Sequence, residues 1–315
     1  MAEQLMSLIC DGVNSCISPS GLTEMLCMLM EGARNNTKTQ ILAALDNVYK
    51  KGQTKHKNVS SAIFVDRWYF DHWTSNNCIK SLDFYSGEAF KCINNWAEKA
   101  TNGKIKNIFQ NDDSFRDTKC VFINVVYFKG FWKQPFENTC TNIFHTLNDG
   151  DVDVSMMSCD GYFNVSDDGN VIKLPYCDKR TVMYVVLNGT DWRKPLSAKH
   201  VEVYLPKFKI EAKYSLNDAL RKMGVVDLFE LGKCDLTGFT NEEFNHLYAS
   251  KIEQMTYINV DELGTEAAAV TSGICVDGCL PDPDVIFRAD HPFRYYIVDE
   301  NKEVMFAGQC VNPVA

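Results

Sequence analysis

Six histidines (His56, His72, His145, His200, His246 and His291) and thirteen cysteines are the side chains that could supply a base and a nucleophile. Nucleophilic catalysis needs a thiol or hydroxyl beside a base that a third group orients. The local signatures of such sites are missing: there is no GxSxG, HExxH, P-loop or GxGxxG. A cysteine hydrolase whose members meet only in space stays open, and it predicts turnover lost on substituting one cysteine outside residues 262–284. The cysteines are scattered, with no CxxC pair and no two of them beside two histidines at zinc spacing. No metal, no cofactor and no disulfide are therefore expected, and without an export signal the thiols are expected reduced in a cytosol.

A different kind of chemistry is suggested by Gly264–Cys279, GTEAAAVTSGICVDGC. A tract of small residues runs into Ile274, Cys275 and Val276, and then a lone acid, Asp277. On composition alone it reads as a flexible surface loop.

The surrounding elements follow from periodicity. Leu22, Met25, Leu26, Leu29 and Met30 predict a helix within Ser20–Asp46, with a stop at Gly32 and a fresh start at Asn36–Thr37. Phe90, Ile93, Trp96 and Ala97 predict another in Glu88–Phe109, ended by Gly103. Strands are predicted at Ala62–Val65, Cys120–Phe128, Val182–Leu187, Val201–Leu205, Thr256–Val260 and Tyr295–Val298. The run VFINVVYF is apolar on both faces, as a central strand covered on both sides would be. At 315 residues and 45% hydrophobic, with no linker or repeat, the chain is expected to form one α+β domain over residues 1–315. A net charge of −9 argues against nucleic acid as a partner, and no window is long enough to span a membrane.

Several motifs then occur in a fixed order. They are Ser18-Pro19-Ser20, the run Ile123–Phe136 containing Asn124 and Trp132, Leu174-Pro175-Tyr176 and Leu205-Pro206-Lys207-Phe208. They continue with Asp261-Glu262-x-Gly264-Thr265-Glu266-Ala267-Ala268-Ala269, Phe287–Phe293, and Phe306-x-Gly308 through Asn312-Pro313. Together they resemble the serpins, over about residues 18–313. The resemblance implies a large central mixed β-sheet with further sheets and about seven to nine helices, and a protease inhibitor rather than an enzyme. It places a reactive-centre loop at about 262–284, with its hinge at Glu262, Gly264, Thr265, Glu266, Ala267, Ala268 and Ala269. Ser18, Ser20, Asn124, Trp132 and Gln254 fall at the shutter and breach, Gln254 standing where the family usually has a histidine. Arg294 also departs from the family, which usually has an apolar residue there. Too few residues follow Asp46 for the family's helix D, and Trp68–Ile79 is too short for a full helix E. These trimmed helices and Gln254-x-Thr256-Tyr257-Ile258 resemble the cytosolic poxvirus serpins of the CrmA group. Loss of helix D, a glycosaminoglycan site in some relatives, implies no heparin partner, and the chain is expected to be a monomer in the host-cell cytosol.

A serpin loop is bait that, once attacked, inserts as a strand, a device known from strand addition generally. Thr265, Ala267, Ala269 and Thr271 alternate on one face and are compact, as threading between strands requires. The family's usual count from Thr265 puts the residue before the scissile bond at Gly278; a loop one residue shorter, as in the CrmA group, puts it at Asp277. A carboxylate can be held bidentately by an arginine-lined pocket, whereas glycine offers a pocket nothing. The expected bond is Asp277–Gly278, with Ile274, Cys275 and Val276 as specificity residues. The expected targets are the aspartate-directed caspases and granzyme B. A non-inhibitory serpin acting as a binding or scaffold protein is the alternative. Heating the cleaved chain separates the two, because only an inserted loop raises thermal stability.

Overall fold

A computed structural model describes residues 2–9, 12–45, 59–67, 79–110, 118–239, 247–265 and 282–314. In chain order the elements are α1 (Ala2–Ile9), β1 (Ser15–Ile17), α2 (Pro19–Gly32), α3 (Asn35–Leu45), β2 (Val59–Asp66), β3 (Ile79–Leu82) and α4 (Ala89–Ala100). There follow β4 (Cys120–Tyr127), β5 (Gly130–Phe131), β6 (Asn138–His145), β7 (Asp151–Ser166), β8 (Val171–Pro175), β9 (Val182–Val186) and β10 (Leu196–Pro206). The last are β11 (Phe208–Ser215), α5 (Asn217–Lys222), β12 (Lys251–Asp261), β13 (Gly264–Thr265), β14 (Val285–Arg288), β15 (Phe293–Val298) and β16 (Val304–Cys310). The segments where helices D and E are expected to be absent or short, 46–58 and 68–78, lie outside the described residues.

The described chain falls into two compact units. One holds residues 1–9, 17–127 and 211–257; the other holds 10–16, 128–210 and 258–315. In the first, β4 pairs antiparallel with β2 and in parallel with β12, matching Val121–Tyr127 to Lys251–Tyr257 residue for residue. Strand alternation divides β4 between two layers. Val121, Ile123 and Val125 join Ile93 and Ala97 of α4, with Met255 of β12, in one core. On the other face, Asn124 and Val126 lie against Gly21 in the first turn of α2. The apolar run predicted for a central strand is thus covered on both sides.

Helix α2 starts where Ser18 Oγ accepts the Gly21 N–H, with Pro19 in the first turn. It ends at Gly32, and Asn35, at φ 48°, opens α3 in a left-handed conformation. Helix α4 ends at Ala100, just before the predicted stop at Gly103 and short of Phe109. Thr101 Oγ1 turns back to the Ala97 carbonyl, and Asn102 and Gly103 take φ of 51° and 80°. The chain leaves the helical path there, and Ile105, Ile108 and Phe109 are buried as an irregular strap.

The second unit is built on a nine-stranded sheet ordered β1-β16-β15-β9-β8-β7-β10-β14, with β6 also paired to β7. Its core includes Phe293, which packs edge to face with both Phe144 and Phe208. Tyr295, fully buried, donates its hydroxyl to the Ser15 carbonyl at 2.9 Å. No helix among the described residues is long and apolar enough to cross a membrane.

Gly32 gives a test in which two effects oppose each other. A helical Gly→Ala change ordinarily stabilises by up to ~1 kcal/mol. Here a β-carbon would overlap the Phe239 ring, and overpacking costs about 1–3 kcal/mol. Gly32→Ala is expected to lower the urea unfolding midpoint, not raise it.

Candidate functional site

In the first unit, Gln254 is fully buried on β12. A buried amide must satisfy both its ends, because each unmade bond costs roughly 1–3 kcal/mol. Gln254 Oε1 accepts the Ser18 N–H at 2.9 Å, and its Nε2 donates to the Ser18 carbonyl and to Asn124 Oδ1, both at 2.9 Å. Asn124 in turn donates from Nδ2 to Ser61 Oγ on β2 at 2.9 Å. Ser18 Oγ and Ser20 Oγ lie 3.4 Å apart. Ser18, Ser20, Asn124 and Gln254, distant in sequence, are therefore brought together. Ser61 is a member that no sequence motif identified; its signal is a hydroxyl directly opposite Asn124 in the β2–β4 register.

In the second unit, the chain turns back at the end of β12. Asp261 Oδ1 accepts the N–H groups of Leu263 (2.9 Å) and Gly264 (3.2 Å), closing a tight Asx turn. Strand β13 then runs antiparallel to β12, pairing Val260 with Thr265 and Asp261 with Gly264, and also pairs with β5. A β-carbon at Gly264 would overlap the Gly130 carbonyl oxygen and crowd the Phe131 backbone. The position demands glycine because two backbones touch there.

The aromatic Trp132 closes over this turn. Its Nε1 donates to the Asp261 carbonyl at 3.0 Å and its backbone N–H to the Leu263 carbonyl at 2.9 Å. Tyr176 stacks on it, with ring centroids 4.5 Å apart. The Tyr176 hydroxyl lies 2.7 Å from Thr265 Oγ1, and Thr265 has no exposed surface. Burial pushes the Tyr176 phenol well up, against the lowering effect of the Thr265 bond, so it stays protonated. Glu262 faces outward, where its carboxylate accepts from Thr139 Oγ1 (2.8 Å) and pairs with Lys207 Nζ (2.9 Å). Burial alone would raise the Glu262 carboxyl, but its hydrogen bonds and the Lys207 charge outweigh that and hold it below the usual 4.5. Glu262, Gly264, Thr265 and Trp132 thus form one cluster, with Tyr176, Thr139 and Lys207 as members that sequence reasoning had assigned no role. Glu266, Ala267, Ala268, Ala269, Ile274, Cys275, Val276, Asp277 and Gly278 lie outside the described residues.

Among the described residues, no group of three or more His, Cys, Asp or Glu could hold a metal ion. The geometry is that of a cinched turn.

A model of the serpin (serine protease inhibitor) family matches residues 69–313. Human Serpin B9 is 29% identical, the match covering 99% of this chain and 97% of that protein. The leukocyte elastase inhibitor of Sus scrofa is 30% identical, over 95% of this chain and 93% of that protein. Among solved structures, Serpin48 of the insect Tenebrio molitor superposes with a TM-score of 0.82 at 26% identity, covering 98% of this chain and 94% of that one. Tengpin, a thermophilic serpin in its native state, gives 0.83 at 24% identity, covering 98% and 91%.

Two outcomes follow from the turn. Tyr176→Phe strands the buried Thr265 hydroxyl and should cost about 1–3 kcal/mol in denaturant unfolding. Adding Thr265→Val, which removes the other partner, should recover most of that loss. Glu262, depressed below its ordinary value, adds stability that is complete above pH ~4.5 and is lost as pH falls through its folded value. Acid unfolding of Glu262→Gln should lack that component, its curve converging with that of the unmodified chain at low pH.

Proposed function

The chain belongs to the serpin family of protease inhibitors, and on that premise we propose that it traps aspartate-specific host proteases, caspases and granzyme B, by cleavage after Asp277. It acts as a single serpin domain, monomeric and in the host-cell cytosol, and blunts apoptosis or inflammation. Its kinship on this reading is with the poxvirus CrmA group, supported by Gln254-x-Thr256-Tyr257-Ile258 and the short stretches at 46–58 and 68–78. Ser18, Ser20, Asn124 and Gln254 serve as the shutter, Trp132 as the breach, and Glu262, Gly264, Thr265, Glu266, Ala267, Ala268 and Ala269 as the hinge.

The observation that carries this reading is the register of β13 on β12. Val260 pairs with Thr265 and Asp261 with Gly264. Continued antiparallel, that register sets Ala267 opposite Ile258, Ala269 opposite Thr256 and Thr271 opposite Gln254. Every one of these loop residues is compact. Strand β12 is paired in parallel with β4, and a strand entering between them replaces one parallel ladder with two antiparallel ones. Antiparallel pairing is slightly more stable per residue, and each added net hydrogen bond is worth about 0.5–1.5 kcal/mol. Insertion is therefore downhill once cleavage frees the loop. The reaction is suicide inhibition: the protease's serine or cysteine attacks the Asp277 carbonyl, and insertion distorts the acyl-enzyme before water can release it.

The test is incubation with a caspase panel and granzyme B, followed by mass spectrometry of the cleaved chain. A stable complex cut after Asp277 is expected; cleavage elsewhere, or cleavage without inhibition, would sink the reading. Asp277→Ala should abolish inhibition. Thr265→Arg should convert inhibitor to substrate, because Thr265 is buried and an arginine there costs several kcal/mol. Cleaved wild-type chain should melt well above the intact one.

A further inference from the structure

The strap Ile105–Phe109 lies in a core that spans the β4–β12 seam. Ile105, Ile108 and Phe109 pack there with Ile123 and Val125 of β4 and Met255 and Tyr257 of β12. Its fastening is unusually specific. Phe109 donates its N–H to Asn94 Oδ1 (3.0 Å), and Asn94 Nδ2 donates back to the Phe109 carbonyl (2.8 Å), fixing the strap to α4. From β11, Lys213 Nζ donates to the Ile108 carbonyl at 2.7 Å and sits 4.2 Å from the centroid of the Phe109 ring. From β12, which pairs with β11, Lys251 Nζ approaches the same ring at 5.7 Å. One aromatic ring is thus tied to α4 through its backbone and held from the β11–β12 side by two ammonium groups.

We propose that this Phe109–Lys213–Lys251 clamp is a brake that sets how fast a strand can enter between β4 and β12. The inference rests on the insertion reading above and adds its rate control. A strand needs about 4.8 Å of new width. A strap whose Ile108–Phe109 end is bonded to α4 on one side and to β11 and β12 on the other cannot keep all its bonds while β4 and β12 part. The Lys213 contacts are the ones that release: a charge-assisted hydrogen bond and a cation–π contact on an exposed side chain, strong enough to hold and weak enough to break. Cleavage supplies the driving force, and the clamp decides how long the acyl-enzyme waits.

The experiment uses the intact chain and a dye-labelled synthetic peptide of residues 265–274, so that no protease is involved. Lys213→Met should anneal the peptide roughly three- to tenfold faster than the unmodified chain, and Lys213→Arg, which keeps both contacts, should return to the original rate. Hydrogen exchange should show lost protection at the Ile105 and Phe109 amides of Lys213→Met, with β2 and β4 unchanged. Equal annealing rates, or exchange loosened uniformly through β2 and β4, would overturn the clamp while leaving the insertion reading in place. Failure of every chain to take up peptide would overturn both.

Discussion

One buried amide ties together parts of the first unit that are far apart in sequence. Gln254 sits on β12, grips both backbone groups of Ser18 where α2 begins, and reaches Asn124 on β4. None of those partners is a solvent-facing group that water could serve instead. Losing any one of these partners would leave a buried polar group unsatisfied. A histidine at the same place would bring a titratable proton into the cluster. Glutamine does not, so its bonds there involve no change of charge over the range where imidazole titrates.

The second unit is governed by a steric constraint. Gly264 lies against the backbone of β5, and Thr265 is buried with its hydroxyl against that of Tyr176. The turn from β12 into β13 is held at Asp261 by its own side chain and at Glu262 by Lys207 and Thr139. The two ends of this arrangement differ in kind. The Glu262 end is electrostatic and sits near solvent, where salt and acid weaken it. The Thr265 end is apolar with a single buried hydroxyl pair, and neither salt nor moderate pH reaches it.

Much of this was legible in the residues, for reasons that vary with the element. Strand β4 declared itself because both faces are buried, leaving an unbroken apolar run. Strand β7 did not: its sixteen residues include Asp151, Asp153, Ser155 and Asp160, which break up any apolar run, and no strand was predicted there. Gly103 marks the end of α4 in the sequence, and the left-handed pair Asn102–Gly103 ends it in the structure; the span to Phe109 overran because Ile105, Ile108 and Phe109 are buried without being helical. Ser18, Asn124 and Gln254 were found through motif order, since nothing local announces that they meet. Ser61, Tyr176 and Lys207 were missed as partners for the same reason. Tyr176 and Thr265 are 89 residues apart, and Thr139 and Glu262 are 123 apart. Only the register of the sheets makes them neighbours.

The pairing of Gly264 and Thr265 on both sides has a mechanical meaning. Any pull transmitted through these two residues acts on backbone held by β12 and by β5. Inter-strand hydrogen bonds lie perpendicular to the strands. A tug along β13 therefore loads its bonds together in shear, while a tug across it peels them one at a time. The direction of the load, more than its size, decides whether the rivet at Gly264–Thr265 holds or unzips.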